Sequence, residues 1–337
     1  MNFKDLGLSS AKLVYEDSMK NNYTIGAFNF NNVEQMQAII EAGHETRSPI
    51  ILQAAFGGVK HFRKEIFPYV VKGGVEYSKY LAKKDGVKPI PIILNLDHGA
   101  DFKQCEICCS LGFSAIMIDG SHLPLEENIA LTKRVVEMAK TYDPDICVEG
   151  ELGIIGGEED DLVSTKKDYT DPAVAARFID ETGIDILAIS IGTSHGAKKF
   201  TEKDLVPNDK GEMVPPPLRK DIVDEIAKLK PNTPLVLHGA SAIPQEFVKE
   251  FNEYGGTLEK AIGIPDEYVA ELTSKNICKV NIHSDGRLVF MSQIRRGLAE
   301  KSDSIEERYF LGLGKEEMKE YYMYKMENVL MCADKVE

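Results

Sequence analysis

The chain has 337 residues, of which 43% are hydrophobic and 28% charged, enough for one large domain or two ordinary ones. Lysine and arginine number 40 and aspartate and glutamate 54, and the net charge of −14 argues against general nucleic-acid binding. No apolar run is long enough to cross a membrane, and the first residues lack the apolar segment of a signal peptide. The six cysteines follow no disulfide spacing, so we expect a reduced, cytoplasmic protein.

Short apolar runs recur along the chain, each followed by polar or glycine-rich residues and then by an amphipathic stretch. We predict eight strands, at Thr24–Phe30, Ile50–Ala54, Ile90–Leu96, Ala115–Ile118, Ile146–Val148, Ile184–Ile191, Leu235–Leu237 and Cys278–Ile282. Several of them are apolar at nearly every position, which is typical of parallel strands buried on both faces.

Helical patterns lie between these runs. Amphipathic spacing predicts helices over Asn32–Thr46 and Glu126–Lys140, and Asp171 followed by Pro172 predicts the start of another. The amphipathic tail 315–333 predicts a helix that packs on the barrel or on another subunit. Eight strands alternating with helices predict an α/β protein whose residues 1–337 form one (β/α)₈ TIM barrel with an extra C-terminal helix. An open doubly wound sheet fits less well, because no dinucleotide-type glycine fingerprint follows the first strand.

Three segments depart from this alternation or contain unusual residues. Val206–Pro217 has four prolines and is predicted to be an exposed loop, and Tyr254–Pro265 is a glycine-rich insertion before the last strand. Cys105 and Cys108 have a C-x₂-C spacing, and Cys109 follows them directly. They lie in a helical pattern with no partner pair, so we interpret them as buried thiols and not as a metal site.

Four of the seven histidines lie at or just beyond the end of a predicted strand: His98, His195, His238 and His283. In a parallel barrel these ends open on one face, where active sites are built. Three imidazoles with an open fourth position form a catalytic zinc arrangement. Glycines directly after three of them let backbone N–H groups approach an anion closely. Any one histidine alone would be interpreted as structural, but their convergence favours a metal site.

Two acidic features accompany the histidines. Asp97 precedes His98 and is interpreted as a general acid/base at the rim of the metal site, or else as an acceptor that orients a ligand. Residues 149–161 start at a strand end and continue as an acidic segment with glycine hinges. Such a segment is either a mobile loop that carries a carboxylate over a bound ligand or a solvated acidic loop.

These residues lie in stretches that resemble the class II, metal-dependent fructose-bisphosphate aldolase family over nearly the full length. The matching stretches are GAFNFNNVEQMQAIIEAG (26–43), LDHGADF (96–102), IMIDGSHLPLEENIALTKRVVEMA (116–139), VEGELGIIGGEED (148–160), YTDPAVAARFIDETGIDILAISIGTSHG (169–196), LHGAS (237–241) and KVNIHSDGRL (279–288), and together they are highly specific. The resemblance implies a (β/α)₈ barrel, a homodimer or homotetramer, and reversible cleavage of fructose 1,6-bisphosphate to dihydroxyacetone phosphate and glyceraldehyde 3-phosphate.

The resemblance also implies roles for individual residues. Zinc would be held by His98, His195 and His238, with Glu151, next but one to Glu149, as an alternate or second metal contact. Asp97 would be the acid/base at the C4 hydroxyl, and Glu159 the base that moves the C3 proton. Substrate or phosphate contacts are implied at Asn29, Gly196, Lys199, Gly239, Ser241, Asn281, His283, Ser284 and Arg287. A monovalent cation, Na⁺ or K⁺, is implied beside the phosphate loops, and three imidazoles also accept cobalt or iron in place of zinc.

Three positions depart from the family pattern. His283 stands where the family usually has an aspartate that contacts substrate hydroxyls, Ala55 replaces a serine, and Lys198 replaces a frequent tyrosine. The metal and proton-transfer residues are intact, so aldol chemistry remains the leading hypothesis. The alternatives are an aldolase for another ketose phosphate such as tagatose 1,6-bisphosphate, a sugar-phosphate-binding protein without turnover, and a metallohydrolase.

Overall fold

A computed structural model describes residues 1–159, 162–164, 168–196, 199–200, 203–208, 210–258, 261–273 and 275–337. For residues 158–159 and 162–164 it describes the backbone and not the side chains.

The strands, in chain order, are β1 Ile25–Asn29, β2 Ile50–Ala55, β3 Ile92–Gly99, β4 Ala115–Ile118, β5 Cys147–Leu152, β6 Gly157–Glu159, β7 Leu162–Ser164, β8 Ile186–Ile189, β9 Val206–Pro207, β10 Met213–Val214, β11 Leu235–Leu237 and β12 Ile277–Ile282. The helices are a short 3₁₀ helix Phe3–Leu6, then α1 Ala11–Asn21, α2 Val33–Glu45, α3 Phe56–Phe62, α4 Phe67–Asp85, α5 Phe102–Leu111, α6 Leu125–Tyr142, α7 Pro172–Thr182, α8 Lys220–Leu229, α9 Gln245–Glu253, α10 Asp266–Ala270, α11 Ser284–Glu300 and α12 Glu307–Asn328.

Eight of the strands form a closed parallel barrel in the order β1-β12-β11-β8-β5-β4-β3-β2. Each contains or overlaps one of the eight predicted strands, so the (β/α)₈ prediction is confirmed. The main difference is β5, which continues beyond Val148 to Leu152. The predicted strand ends before Glu149, whereas the structure buries both Glu149 and Glu151 in the barrel, where carboxylates are rare unless they have partners.

Side-chain caps start two of the predicted helices, α2 and α7. Asn32 accepts a hydrogen bond from the backbone N–H of Gln35 at the start of α2. Asp171 accepts from Ala173 and Val174, with Pro172 as the first residue of α7. Such caps satisfy N–H groups that have no partner within the helix, which explains why the sequence located these helix starts well.

The outer segments differ more from the predictions. Helix α12 begins at Glu307, ahead of the predicted 315, and packs against α2 and α11 on the barrel. The proline-rich segment 206–217 contains an antiparallel pair, β9 and β10, which the sequence did not predict. The three cysteines of α5 are buried and unpaired by disulfides, as predicted. Within the described residues, none of the helices combines the length and the apolar character that crossing a membrane requires.

Candidate metal centre and active site

The site begins with an irregularity at the end of β3. Pairing between β3 and β4 shifts register between Leu96 and Gly99, and His98 has a left-handed φ of 43°. A regular strand would point consecutive side chains to opposite faces. The irregularity instead brings both Asp97 and His98 to the same site, with Asp97 Oδ1 3.9 Å from His98 Nε2.

Three imidazole rings meet at this end of the barrel. The ring centroid of His98 lies 4.8 Å from that of His195 and 4.5 Å from that of His238. One nitrogen from each ring lies within 4.8 Å of the other two. His98 lies at the end of β3, and His195 and His238 follow β8 and β11. The three strands are far apart in the sequence, but their carboxyl ends open on one mouth of the barrel.

Two of the rings are held from behind by carboxylates. His98 Nδ1 is 2.9 Å from an oxygen of Asp119, and His238 Nε2 is 2.8 Å from an oxygen of Glu149. The other nitrogens, His98 Nε2 and His238 Nδ1, face each other at 2.8 Å. A carboxylate on the outer nitrogen fixes the ring and directs the inner lone pair, which is the usual environment of a metal-binding histidine.

The surrounding charge also suits a cation. Asp97, Asp119, Glu149 and Glu151 are all buried around the rings. Of these, Glu149 forms an ion pair at 2.6 Å with the buried Lys279. A metal dication placed among the inner nitrogens would therefore compensate buried negative charge, and the three imidazoles supply suitable ligand atoms. The donor set fits a zinc-type metal. A second cluster of His98, Asp119 and Glu151 shares this region.

The pKa values of the site residues follow the same charges. Burial would raise the pKa of Glu149, but Lys279 and His238 outweigh it and lower the pKa to about 2. Burial, reinforced by Asp119, raises the pKa of Glu151 well above its ordinary value. Burial would lower the pKa of His98, but its hydrogen bond to Asp119 and the nearby carboxylates raise it. The carboxylates around His98 therefore favour positive charge at this position.

Asp97 is held by two amides. One oxygen accepts from Asn29 Nδ2 and the other from Asn281 Nδ2, both at 2.9 Å. Asn29 in turn accepts from Gln53, and Gln53 accepts from Asn95. This chain of hydrogen bonds crosses β1, β2, β3 and β12 in the barrel interior. It fixes the orientation of the Asp97 carboxylate beside the imidazole rings.

The loops after β8 and β11 pack backbone to backbone beside the rings. Gly239, with a φ of 62°, lies so close to Ser194 that a Cβ atom there would be 2.6 Å from the Ser194 backbone. The carbonyl of Gly156 accepts two hydrogen bonds at 2.8 Å each, one from the Ser194 hydroxyl and one from the backbone N–H of His195. These contacts join three loops at the mouth of the barrel.

A model of the family described as class II fructose-bisphosphate aldolase matches residues 9–335. The chain belongs to the class II fructose-bisphosphate aldolase family. Its membership confirms the resemblance drawn from the sequence, and such an aldolase is a metal-dependent carbon–carbon lyase acting on a sugar phosphate.

Curated relatives and solved structures agree with this family. The chain is 47% identical over 331 residues to a fructose-bisphosphate aldolase of Treponema pallidum, covering 98% of both chains. It is 38% identical over 319 residues to that of Helicobacter pylori strain J99, covering 94% of this chain and 96% of the relative. Among solved structures, the YdjI aldolase from Escherichia coli K12 matches with a TM-score of 0.71 at 26% identity, covering 98% of this chain and all of that one.

The structure places the other predicted aldolase residues in two groups. Asn29, Gly239, Ser241, Asn281 and His283 lie at the same ends of β1, β11 and β12 as the rings, and Glu151 lies on β5. The second group lies in the loop after His195 and at the start of α11. In the loop, Gly196 and Lys199 follow His195, and Lys199 Nζ donates to the Ser194 carbonyl at 2.5 Å. Ser284 and Arg287 lie in the first turn of α11, where Arg287 is exposed. The side chain of Glu159 and all of Lys198 lie outside the described residues.

Four polar residues of the site were missed in the sequence: Gln53, Asn95, Asp119 and Lys279. Each had a signal. Gln53, Asn95 and Lys279 interrupt otherwise apolar strands, where a polar residue needs a buried partner. Asp119 follows β4 directly and so lies at the same end of the barrel as His98.

Proposed function

We propose that this aldolase reversibly cleaves fructose 1,6-bisphosphate to dihydroxyacetone phosphate and glyceraldehyde 3-phosphate, and that its metal is zinc. The observation that carries the proposal is the meeting of His98, His195 and His238 with inner nitrogens within 4.8 Å of one another, beside a fixed Asp97. These three histidines would hold the metal, and Glu151 supplies an alternate ligand through the adjoining cluster with His98. When bound, the metal supplies Lewis acidity that polarises the substrate ketone.

The proton transfers fall to carboxylates of the chain. As the C3–C4 bond breaks, Asp97 takes the proton of the C4 hydroxyl, and its two amide partners keep it oriented as an acceptor. The aldehyde then leaves, and Glu159 in its protonated form donates a proton to C3, where the bond to C4 was broken, to complete dihydroxyacetone phosphate. For Glu159 the support is its match to the family motif and its place in the hairpin strand β6, next to the loops of the site.

The two phosphates require local positive charge in an acidic protein. Gly196, Gly239, Ser241 and Ser284 would supply N–H and hydroxyl donors to one phosphate, with a Na⁺ or K⁺ ion beside them. Lys199 and Arg287 would oppose the other phosphate. The close backbone packing of Gly239 on Ser194 supports this, because it brings the loops after β8 and β11, which carry Gly196 and Ser241, next to each other.

The first experiment removes the metal. Treating the protein with a chelator, confirming metal loss by elemental analysis and assaying cleavage of fructose 1,6-bisphosphate should give no activity, and added zinc should restore it. Borohydride in the presence of substrate should trap no covalent adduct, because no lysine Schiff base forms. Full activity in protein shown to be free of metal would contradict the proposal.

Replacing Asp97 distinguishes an enzyme from a protein that binds sugar phosphates without turnover. In Asp97→Asn we expect metal content to be retained, because Asp97 is not among the three proposed ligands. We expect kcat to fall about 10²- to 10⁴-fold, which is the usual contribution of a positioned acid/base. Tight sugar-phosphate binding by the wild type without turnover would instead support a sensor or scaffold.

His283 favours a second candidate, an aldolase for a related ketose such as tagatose 1,6-bisphosphate. His283 is buried at the N-cap of α11, beside the site, and an imidazole donates where the usual aspartate only accepts. Ala55 pairs with Asp97 across β2 and β3, so the missing hydroxyl is also close to the chemistry. Comparing kcat/KM for the two sugars decides, and His283→Asp should shift the preference toward fructose 1,6-bisphosphate. An unchanged ratio in this variant would remove His283 as a determinant.

We further propose that residues 1–337 act as one domain in a cytoplasmic homodimer or homotetramer. Six free, buried thiols suit a reducing compartment. On α11, Met291 and Leu298 lie seven residues apart and are 43% and 49% exposed, and Ile305 after the helix is 95% exposed. Such a row of apolar side chains supports subunit contact. Sedimentation equilibrium tests the assembly, and a monomer at micromolar concentration would contradict it.

A further inference from the structure

The segment that follows the metal-binding His238 has a strained backbone. It runs from Gly239 to Ile243, between β11 and α9, and carries Ser241. Ile243 has a φ of 52°. A β-branched residue rarely adopts this left-handed conformation, and it persists only where the surrounding structure holds it.

A single buried carboxylate holds this segment. Asp285 Oδ1 accepts from the N–H of Ile243 at 2.8 Å, and its Oδ2 accepts from the N–H of Ala242 at 3.0 Å. Asp285 is the second residue of α11 and is fully buried. The carbonyl of Ser241 accepts from Ile264 at 3.0 Å, so the segment is held from both sides.

Two residues of α12 complete the environment of Asp285. The hydroxyl of Tyr321 donates to Asp285 Oδ2 at 2.9 Å. The buried ammonium of Lys325 lies 3.4 Å from the same oxygen and also pairs with Asp266. Burying an ionised carboxylate away from water costs free energy of folding unless hydrogen-bond donors and cations such as these surround it. The C-terminal helix therefore reaches the loop that carries Ser241, with Asp285 between them.

We propose that Asp285, supported by Tyr321 and Lys325, is a positioning residue that holds the His238–Ile243 loop so that Ser241 and its neighbouring N–H groups meet a substrate phosphate. This inference rests on the proposed function in one respect, since the phosphate role of Ser241 comes from there. The three side chains bond to one another, to the N–H groups of Ala242 and Ile243 and to Asp266. Their effect should thus fall on phosphate binding and leave metal binding unchanged.

Two adjacent tyrosines provide the variant and its matched control. Tyr321 and Tyr322 are both buried on α12. The Tyr321 hydroxyl bonds to Asp285, whereas that of Tyr322 makes no hydrogen bond to any residue that the structure describes. Tyr321→Phe and Tyr322→Phe each remove one oxygen from the same helix.

The experiment measures kcat, KM, metal content and, by calorimetry, the affinity for inorganic phosphate. Tyr321→Phe should raise KM and the Kd for phosphate about five- to tenfold, with kcat within about twofold and metal content unchanged, because it removes a hydrogen bond to the charged group that holds the loop. Tyr322→Phe should match the wild type in all four measurements.

Two results would overturn the proposal. One is a lower melting temperature of Tyr321→Phe with unchanged KM and phosphate affinity, which would show a structural role alone. The other is an equal loss of phosphate affinity in Tyr322→Phe, which would trace the effect to packing. If the wild type fails to cleave fructose 1,6-bisphosphate, the proposed function falls, and the phosphate titration still decides this inference.

Discussion

At the scale of single residues, the site is organised by groups behind the proposed metal ligands. Lys279 lies inside the barrel and pairs with Glu149, and Glu149 in turn holds His238. The sequence indicates a buried partner for Lys279, because it is a single cationic residue in a mostly apolar strand. Its partner could not be read from the sequence, because Glu149 is 130 residues away.

Replacing Lys279 tests this arrangement. In Lys279→Met, Glu149 keeps a buried charge without its cation, so we expect stability to fall by about 3–5 kcal/mol. Metal affinity should weaken about 10- to 100-fold, because the support of His238 is disturbed. Urea unfolding of the metal-free protein and titration against a competing chelator measure the two effects.

The double variant Lys279→Met/Glu149→Gln is the control. It removes the isolated charge and should regain part of the lost stability, while metal affinity stays weak because the amide no longer anchors His238 as a carboxylate does. Wild-type metal affinity in Lys279→Met would show that the lysine is unimportant for the site.

At the scale of elements, the loops at the carboxyl ends of the strands bring the chemistry together. The loop after β11 meets the loop after β8 at Gly239 and Ser194, and both carry a histidine of the site. A local register shift in β3 supplies the third histidine along with Asp97. The spacing of the elements was predictable from hydrophobic periodicity, whereas this shift leaves no periodic trace.

Gly239→Ala tests the close approach of the two loops. Alanine there would be strained at a φ of 62° and would also meet the Ser194 backbone at 2.6 Å. We expect a loss of more than about 2 kcal/mol in urea unfolding together with loss of metal and activity, because His238 is the preceding residue.

Gly183→Ala is the matched control for this element. Gly183 ends α7 with a similar φ of 69°, and nothing lies within 4 Å of a Cβ atom there. It should cost about 1–2 kcal/mol through backbone conformation alone and leave activity unchanged. Equal losses in the two variants would show that the contact with Ser194 has no importance of its own.

At the scale of the whole molecule, burial determines the pKa and the reactivity of the six cysteine thiols. All six are free and buried. Burial raises the pKa of Cys109, Cys278 and Cys332 to about 12 and raises that of the other three thiols as well. The thiolate is the reactive form, so the folded protein should keep these groups inert.

We therefore expect iodoacetamide at pH 8 to label no cysteine in the native protein within minutes and all six in urea, as counted by mass spectrometry. Stability should also fall as pH rises from about 9 toward 12. In this range the unfolded chain releases thiol protons that the folded chain retains, so ionisation favours unfolding. Rapid alkylation of native protein at pH 8 would contradict the burial of the thiols.

The amino-acid sequence was sufficient to predict the eight barrel strands, the capped helix starts and the strand ends at which the histidines lie. These features depend on the period of hydrophobic residues and on short-range hydrogen bonds. Both are determined by residues that are close together in the sequence. The family followed from the same motifs.

Folding alone decided which ring nitrogen each histidine turns inward. His98 turns Nε2 inward because Asp119, 21 residues away along the chain, binds its Nδ1. His238 turns Nδ1 inward because Glu149, 89 residues away, binds its Nε2. The burial of Glu149 and Glu151 in β5, the amide chain behind Asp97 and the hold of α12 on the Ser241 loop have the same origin. Each depends on which polar partner lies across the barrel, and a pairing over such distances is set by closure of the sheet and not by local pattern.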